Sequence, residues 1–221
     1  MGEKVTYVHP ENWAGYSNAL WQDKYDFIFD GPHFASWRMA NKGHTPLARL
    51  PGSLSFYIVA RDEEGAPEKL EDLEMKSVCA ISSPNMMASV LLAQFGPVKA
   101  PSVVAIRGGL KNVYKSLQDK KCVAAVFRYE FVEKLSGPER EKLKILFRSR
   151  VYPNQVITAG TRVERSKHQA IIEALTRSDV PYTAPIRKRF GTPGMNSAFI
   201  PVEADAMEGH NQLLEGVVWG W

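Results

Sequence analysis

Four short stretches of this 221-residue sequence gather side chains suited to holding an anion. In Ile81-Ser82-Ser83-Pro84-Asn85, two hydroxyls and an amide stand where a helical pattern begins, so backbone N–H groups add to the donor set. Gly31-Pro32-His33-Phe34 is a sharp turn that delivers an imidazole and an aromatic ring. Arg107-Gly108 and Arg128-Tyr129 each follow an apolar run, and a guanidinium in such a place can grip an oxyanion through two parallel N–H bonds. Each residue has a plainer role open to it. Ser82 and Ser83 could cap a helix, His33 could be a polar helix-start residue, Phe34 and Trp37 could be core, and both arginines could face solvent. Arg128 is the strongest candidate, because its run is apolar through Phe127 and then turns abruptly to charge.

Signals for catalysis are missing from the same sequence. There is no GxSxG, GxGxxG, Walker or HExxH pattern, and the five histidines fall at no metal or dyad spacing. Cys79 and Cys122, the two cysteines, sit within apolar runs where thiols are usually inert, and no CxxC occurs. Met86 and Met87 lie at helical spacing, which reads as packing rather than soft-metal ligation. We therefore expect a binding protein rather than an enzyme, with no cofactor and no metal.

The elements that must position these residues alternate between strand and helix periodicity. Val5–Val8 reads as a short strand, Glu11–Trp21 as a helix with Trp13, Tyr16 and Leu20 on one face, and Tyr25–Phe29 as a strand. A helix from Pro32 to about Ala40 stops before Gly43, and strands follow near Leu47–Leu50 and Leu54–Ala60. Next comes a repeated unit. Strands at Ser77–Ile81, Ser102–Ile106 and Cys122–Phe127 are each followed by a helical face, which implies a parallel sheet with right-handed crossovers. On such sheets ligands gather at the carboxyl ends of strands, which selects Ser82, Ser83, Asn85, Arg107, Arg128 and Tyr129. Further strands are expected at Lys144–Phe147 and Val156–Thr158, and helices at Ser166–Arg177 and Gln212–Val218.

Two polar, turn-rich stretches, Arg61–Pro67 and Arg148–Gln155, enclose the repeated unit. The expected fold is thus α/β with two lobes, each a mainly parallel sheet flanked by helices. Residues 1–66 and 156–221 would form a discontinuous lobe I and 67–155 a lobe II, with crossings near 61–67 and 148–155. The ligand would sit in the cleft between them.

Composition narrows the partners. Hydrophobic content of 44% with 24% charged residues is that of a globular protein. No apolar run approaches the ~20 residues of a membrane span, and the start MGEKVTYVHPENW has no apolar segment of a secretory signal. The net charge of +4 is dispersed; Arg187-Lys188-Arg189 reads as a solvated face, because no helix-turn-helix, zinc-finger or RNP signature accompanies it. No nucleic acid partner is expected, and a mildly basic cleft for a small anion is.

Several of these stretches resemble a known family. DFIFDGPHFASWR with SFYIVARD, then LEDLEMKSVCAISSPNMMASVLL, VVAIRGGLKNVYKSLQDKKCVAAVF and LFRSRVYPNQVITAG, are similar in order to segments of the phosphonate/phosphate/phosphite-type periplasmic binding proteins of ABC transporters. The resemblance spans about Val5 to Arg177. It implies a type II periplasmic binding protein fold, a monomer working in the periplasm, and delivery of a small anion to an ABC permease. The same clamp could serve a sensor protein, or less readily an enzyme. The family usually opens with one more strand-helix unit, which implies that lobe I here lacks it.

Departures from the family pattern bear on the ligand. Where the family has a serine/threonine run, this chain has Ser82-Ser83-Pro84-Asn85-Met86-Met87. Where acidic residues grip an aminophosphonate amine, it places Arg128 and Tyr129. A guanidinium favours an anion, so phosphate, a plain phosphonate or another oxyanion or carboxylate is expected in a site built from Gly31, His33, Phe34, Ser82, Ser83, Asn85, Arg107, Arg128 and Tyr129. A periplasmic location also implies that Cys79 and Cys122, on strands expected to be neighbours, form a disulfide; two buried free thiols are the alternative.

Overall fold

Asn12 opens the first helix by accepting the Gly15 N–H on its side-chain oxygen at 2.8 Å, a cap worth about 1 kcal/mol. The helix, α1 (Trp13–Trp21), turns Tyr16, Ala19 and Leu20 inward at helical spacing. The computed structural model describes residues 4–178, 183–190, 198–203 and 205–215. Strand β1 (Phe27–Asp30) leads through Gly31 into α2 (Pro32–Lys42), which has proline in its first turn and ends at Gly43 with φ 65°, the left-handed cap that glycine supplies without strain. Residues Pro32–Arg38 of α2 are all buried.

The chain continues through β2 (Thr45–Arg49), β3 (Ser53–Leu54), β4 (Phe56–Arg61), β5 (Ser77–Ala80), α3 (Met86–Leu92), β6 (Ser102–Ala105), α4 (Leu110–Gln118), β7 (Ala124–Arg128), α5 (Tyr129–Glu133), α6 (Gly137–Arg140) and β8 (Leu143–Arg148). It returns through β9 (Tyr152–Pro153), β10 (Val156–Ala159), α7 (His168–Thr176), α8 (Ala184–Phe190) and β11 (Ile200–Pro201).

Among the described residues two larger sheets result, one of order β1-β10-β2-β11 and one of order β6-β5-β7-β4-β8, besides a two-stranded ribbon. Strands β6, β5 and β7 are adjacent and parallel, and β4 and β8 join antiparallel. In the first sheet every neighbouring pair is antiparallel, which corrects the expectation of a mainly parallel sheet there. The reason is topological. β1-α2-β2 is itself a strand-helix-strand unit, but β10 comes back from the far end of the molecule and inserts between its two strands, so both pair with a strand running the other way.

A second correction concerns Leu54–Ala60, expected in lobe I. As β4 it lies in the five-stranded sheet between β7 and β8, buried along most of its length. Arg61–Pro67 is accordingly not a passage between sheets but a surface turn within one, where the Asp62 N–H donates to the Lys142 carbonyl at 2.8 Å. Between the two sheets in chain order lies instead the short ribbon β3–β9, pairing Ser53 with Pro153 and Leu54 with Tyr152. Val5–Val8, expected as a strand, pairs with nothing among the described residues and leaves Tyr7 84% exposed. The expected last helix, Gln212–Val218, is a 3₁₀ turn over His210–Leu213, and 216–218 lie outside the described residues.

Packing follows the two-residue period of strands. Ile58, Val78 and Val126 face one side of the five-stranded sheet with Met87, Val90 and Leu91 of α3. Val59, Cys79, Ala125 and Phe127 face the other with Val113 and Leu117 of α4 and Val132 of α5. On that second face Cys79 and Cys122 are joined by a disulfide, their Cα atoms 5.7 Å apart. Near the end of the described chain, consecutive residues diverge. Leu213 packs with the α3 face of the five-stranded sheet, Leu214 with Tyr16, Leu20, Phe34 and Trp37 beside the other sheet.

Candidate functional site

The Gly31 turn is held from behind by a buried polar network. Asp30 receives two N–H bonds from Arg38, at 2.6 and 2.8 Å, and the Tyr16 hydroxyl donates to the same carboxylate. Arg38 is fully buried, and its Nε and Nη2 also donate to Thr158 Oγ1 on β10, at 3.2 and 3.0 Å. Burial disfavours the guanidinium charge, but Asp30 and Tyr16 more than offset it and hold Arg38 above its usual pKa. Burial, with Asp30 alongside, pushes the Tyr16 phenol well up.

The network continues outward. Thr158 Oγ1 lies 3.2 Å from His44 Nδ1, and His44 Nε2 lies 2.8 Å from Asp23, which Arg162 pairs at the surface. A neutral His44 protonated on Nε2 satisfies every partner. Nε2–H donates to Asp23, Nδ1 accepts the threonine proton, and both lone pairs of Thr158 take Arg38 N–H groups. Burial accordingly lowers the His44 pKa, and nearby Arg38 adds to the effect.

In front of this network, the His33 ring is 3% exposed and its Nε2 donates to the Pro84 carbonyl at 2.9 Å, across 51 residues of sequence. A carbonyl only accepts, so Nε2 carries the proton and Nδ1 is left as a buried acceptor without a partner among the described residues. Burial lowers the His33 pKa to about 4. Gly31 is required here for space rather than for conformation: a Cβ would stand 2.6 and 2.7 Å from the imidazole ring and 3.8 Å from Met86 Sδ.

The His33–Pro84 bond thus brings Gly31 and His33 against the Ser82–Asn85 turn. Ser82 and Ser83 are half-buried, and Asn85 caps α3 by accepting the Met87 N–H at 3.0 Å. The carboxyl edge of the parallel strands adds the arginines. β5 pairs with β6 so that Ala80 is level with Ala105, and with β7 so that Cys79 is level with Ala125. β5 leads through Ile81 to Ser82, Arg107 follows the carboxyl end of β6 on one side of it, and Arg128 is the last residue of β7 on the other.

The members of this row differ in what they offer. Arg107 is exposed two residues beyond the end of the edge strand β6, its carbonyl accepting from Asn112 at 3.0 Å. Arg128 is engaged by Glu130, at 3.2 and 2.9 Å. Tyr129 is 41% exposed and edge-on to Tyr57. Phe34 points the other way, buried against Trp13, Tyr16 and His33. Sequence reasoning missed Asp30, Arg38, Thr158, His44 and Glu130. The eight-residue spacing of Asp30 and Arg38 was a usable signal, since it joins a strand end to the second turn of the following helix; Thr158 and His44 gave none.

Two shallow concavities lie elsewhere, of about 270 Å³ beside Val132, Leu143 and Ile145, and about 200 Å³ beside Thr45, Gly160 and His168. Among the described residues there is no cluster of three or more metal-ligating side chains, and no helix long and apolar enough to cross a membrane.

A sequence profile of the family described as "ABC transporter, phosphonate, periplasmic substrate-binding protein" matches residues 1–205. No curated protein sequence gives a significant match. Among solved structures, the fold is shared with XAC2383 from Xanthomonas citri bound to ATP, at TM-score 0.70 and 13% identity over 92% of this chain and 82% of that one. PhnD1 from Prochlorococcus marinus in complex with methylphosphonate gives TM-score 0.65 and 12% identity over 96% and 85%. PA3383 from Pseudomonas aeruginosa, a binding protein component of an ABC phosphonate transporter, gives 0.62 and 14% over 94% and 73%.

Proposed function

The chain belongs to the phosphonate family of periplasmic substrate-binding proteins, the non-catalytic receptor components of ABC transporters, and on that premise we propose where and how it holds its ligand. The ligand is a small phosphorus oxyanion, a plain phosphonate or phosphate. It lies beside the contact between the Gly31–His33 turn and the Ser82–Asn85 turn, on the side of β7, whose last residue is Arg128. The single observation that carries this reading is the His33–Pro84 hydrogen bond, because it joins a turn of one sheet to the carboxyl edge of the other. Serine hydroxyls and a guanidinium beside that contact are donors matched to an oxyanion.

In the same reading the two sheets are two lobes that approach one another about the β3–β9 ribbon. The chain then crosses near Leu50–Leu54 and again near Tyr152–Gln155. Glu130 is already committed to Arg128, so no free carboxylate is offered to a ligand amine at this place. The disulfide accords with work in the periplasm, where thiols pair.

Isothermal titration with methylphosphonate, inorganic phosphate, 2-aminoethylphosphonate and sulfate tests the assignment. Methylphosphonate or phosphate should bind tightest. Preference for 2-aminoethylphosphonate over both would remove the plain-oxyanion reading.

A further inference from the structure

We propose that His33 is a proton-released latch: its neutral ring ties the Gly31 turn to the Pro84 carbonyl, and a second proton, on Nδ1, breaks the tie and lets the two turns part. The latch is a property of the chain itself; its consequence for ligand capture rests on the cleft reading above.

The ring has one satisfied nitrogen and one stranded one. Nε2–H meets Pro84, while Nδ1 is buried, faces the bare Cα of Gly31 and has no hydrogen-bond partner among the described residues. A proton there would create an N–H with no acceptor and a positive charge out of water, each costly when buried.

The surrounding charges do not relieve this. From its own turn the ring feels Asp30, but that carboxylate already holds two Arg38 N–H groups and the Tyr16 hydroxyl, and Arg38 itself repels a second cation. From the turn opposite come the Pro84 carbonyl, which favours the charged ring through the Nε2–H it already accepts but offers nothing to Nδ1, and Met86, and burial outweighs the first. From the His210–Leu213 turn comes His210, which also opposes a charge on His33 and is bonded by Arg150 at 3.1 Å. A protonated ring therefore has to leave its place, and the Pro84 bond leaves with it. The pKa near 4 agrees with this geometry.

Histidine ring NMR on the full chain, with His33→Gln for assignment, reads the latch without any ligand. The His33 ring should remain neutral at about pH 5, where a histidine with the ordinary midpoint of ~6.5 is protonated. The Asn85 backbone amide should shift in step with that ring at lower pH, and should stay flat in H33Q, whose amide keeps a donor but cannot titrate. A His33 midpoint near 6.5, or an Asn85 amide indifferent to His33 titration in the wild type, would overturn the latch, whether or not the variant folds. Titration with methylphosphonate then reads the consequence. Relative to H33Q, wild-type affinity should be halved at about pH 4 and fall about tenfold for each further pH unit. If the NMR result holds while methylphosphonate binds at no pH, the latch stands and the cleft assignment fails.

Discussion

Arg38 and Thr158 stand 120 residues apart in sequence, yet two guanidinium N–H groups of one converge on the single hydroxyl oxygen of the other. Through that oxygen the strand that returns from the far sheet is bonded to the helix that carries the Gly31 turn. The turn is thus fixed by a residue encoded long after it.

Replacing Thr158 by Val keeps the shape and removes the acceptor. Two donors of a buried cation then lose their partner, which should cost about 2–3 kcal/mol in urea unfolding. Thr158→Ser, which restores the oxygen, should recover most of the loss. Equal destabilisation by both variants would mean that the methyl group, not the hydrogen bonds, matters there.

Asp30→Asn should be more damaging, by about 3–5 kcal/mol, because it strands the buried Arg38 charge. Adding Arg38→Met to that variant should restore part of the stability, since an apolar side chain makes no demand for a counterion. A double variant less stable than D30N alone would contradict the account.

Arg128→Ala should weaken binding of methylphosphonate by about 2 kcal/mol, near thirtyfold, if the guanidinium meets the ligand in a buried, bidentate way. Removal of Arg128 also frees Glu130 to repel an anion, so the second variant to measure is R128A with Glu130→Gln. Unchanged affinity in both would take this pair out of the site.

Stability should fall as the solution is acidified from pH 6.5. Burial lowers the His33, His44 and His210 pKa values in the folded protein, so between the unfolded and folded midpoints the unfolded chain binds more protons. Their contribution is complete above the unfolded value and is lost as pH drops through the folded one. For His33, from 6.5 to about 4, the loss approaches about 3 kcal/mol. Urea midpoints measured at intervals across that range should decline, and a flat profile would contradict burial of neutral rings.

The disulfide links positions 43 residues apart, a loop whose closure is worth about 4 kcal/mol by chain entropy. Oxidised protein alkylated under denaturing conditions should take up no label by mass spectrometry. The double variant with alanine at Cys79 and Cys122 should melt markedly lower.

What the sequence disclosed follows from how local each signal is. The Gly31-Pro32 turn, the three parallel strands and the start of a helix just after Ser82-Ser83-Pro84 depend on residues close together in the chain, and all could be read, although the cap is Asn85 and not the serines. The sheet that owns β4 could not, because FYIVAR is apolar enough to sit in the middle of either sheet, and pairing partners leave no mark on a strand's own pattern. The antiparallel return of β10 is a fact of global path. Val5–Val8 shows the converse: β-branched and aromatic residues favour a strand, but without a neighbouring edge they do not make one. At the site, Arg128 was legible as a charge ending an apolar strand. Its engagement with Glu130, two residues on, depends on a backbone turn that alternation does not encode.

The divergence of Leu213 and Leu214 constrains how the molecule could open. On the two-lobed reading, β3–β9 is one hinge, and this dipeptide, gripping a different core on either side of one peptide bond, is a second. A door hung at two points swings about the line through them and resists twisting. Opening would then be a motion of few degrees of freedom, with each ligand-bearing turn returning to the same place after every cycle.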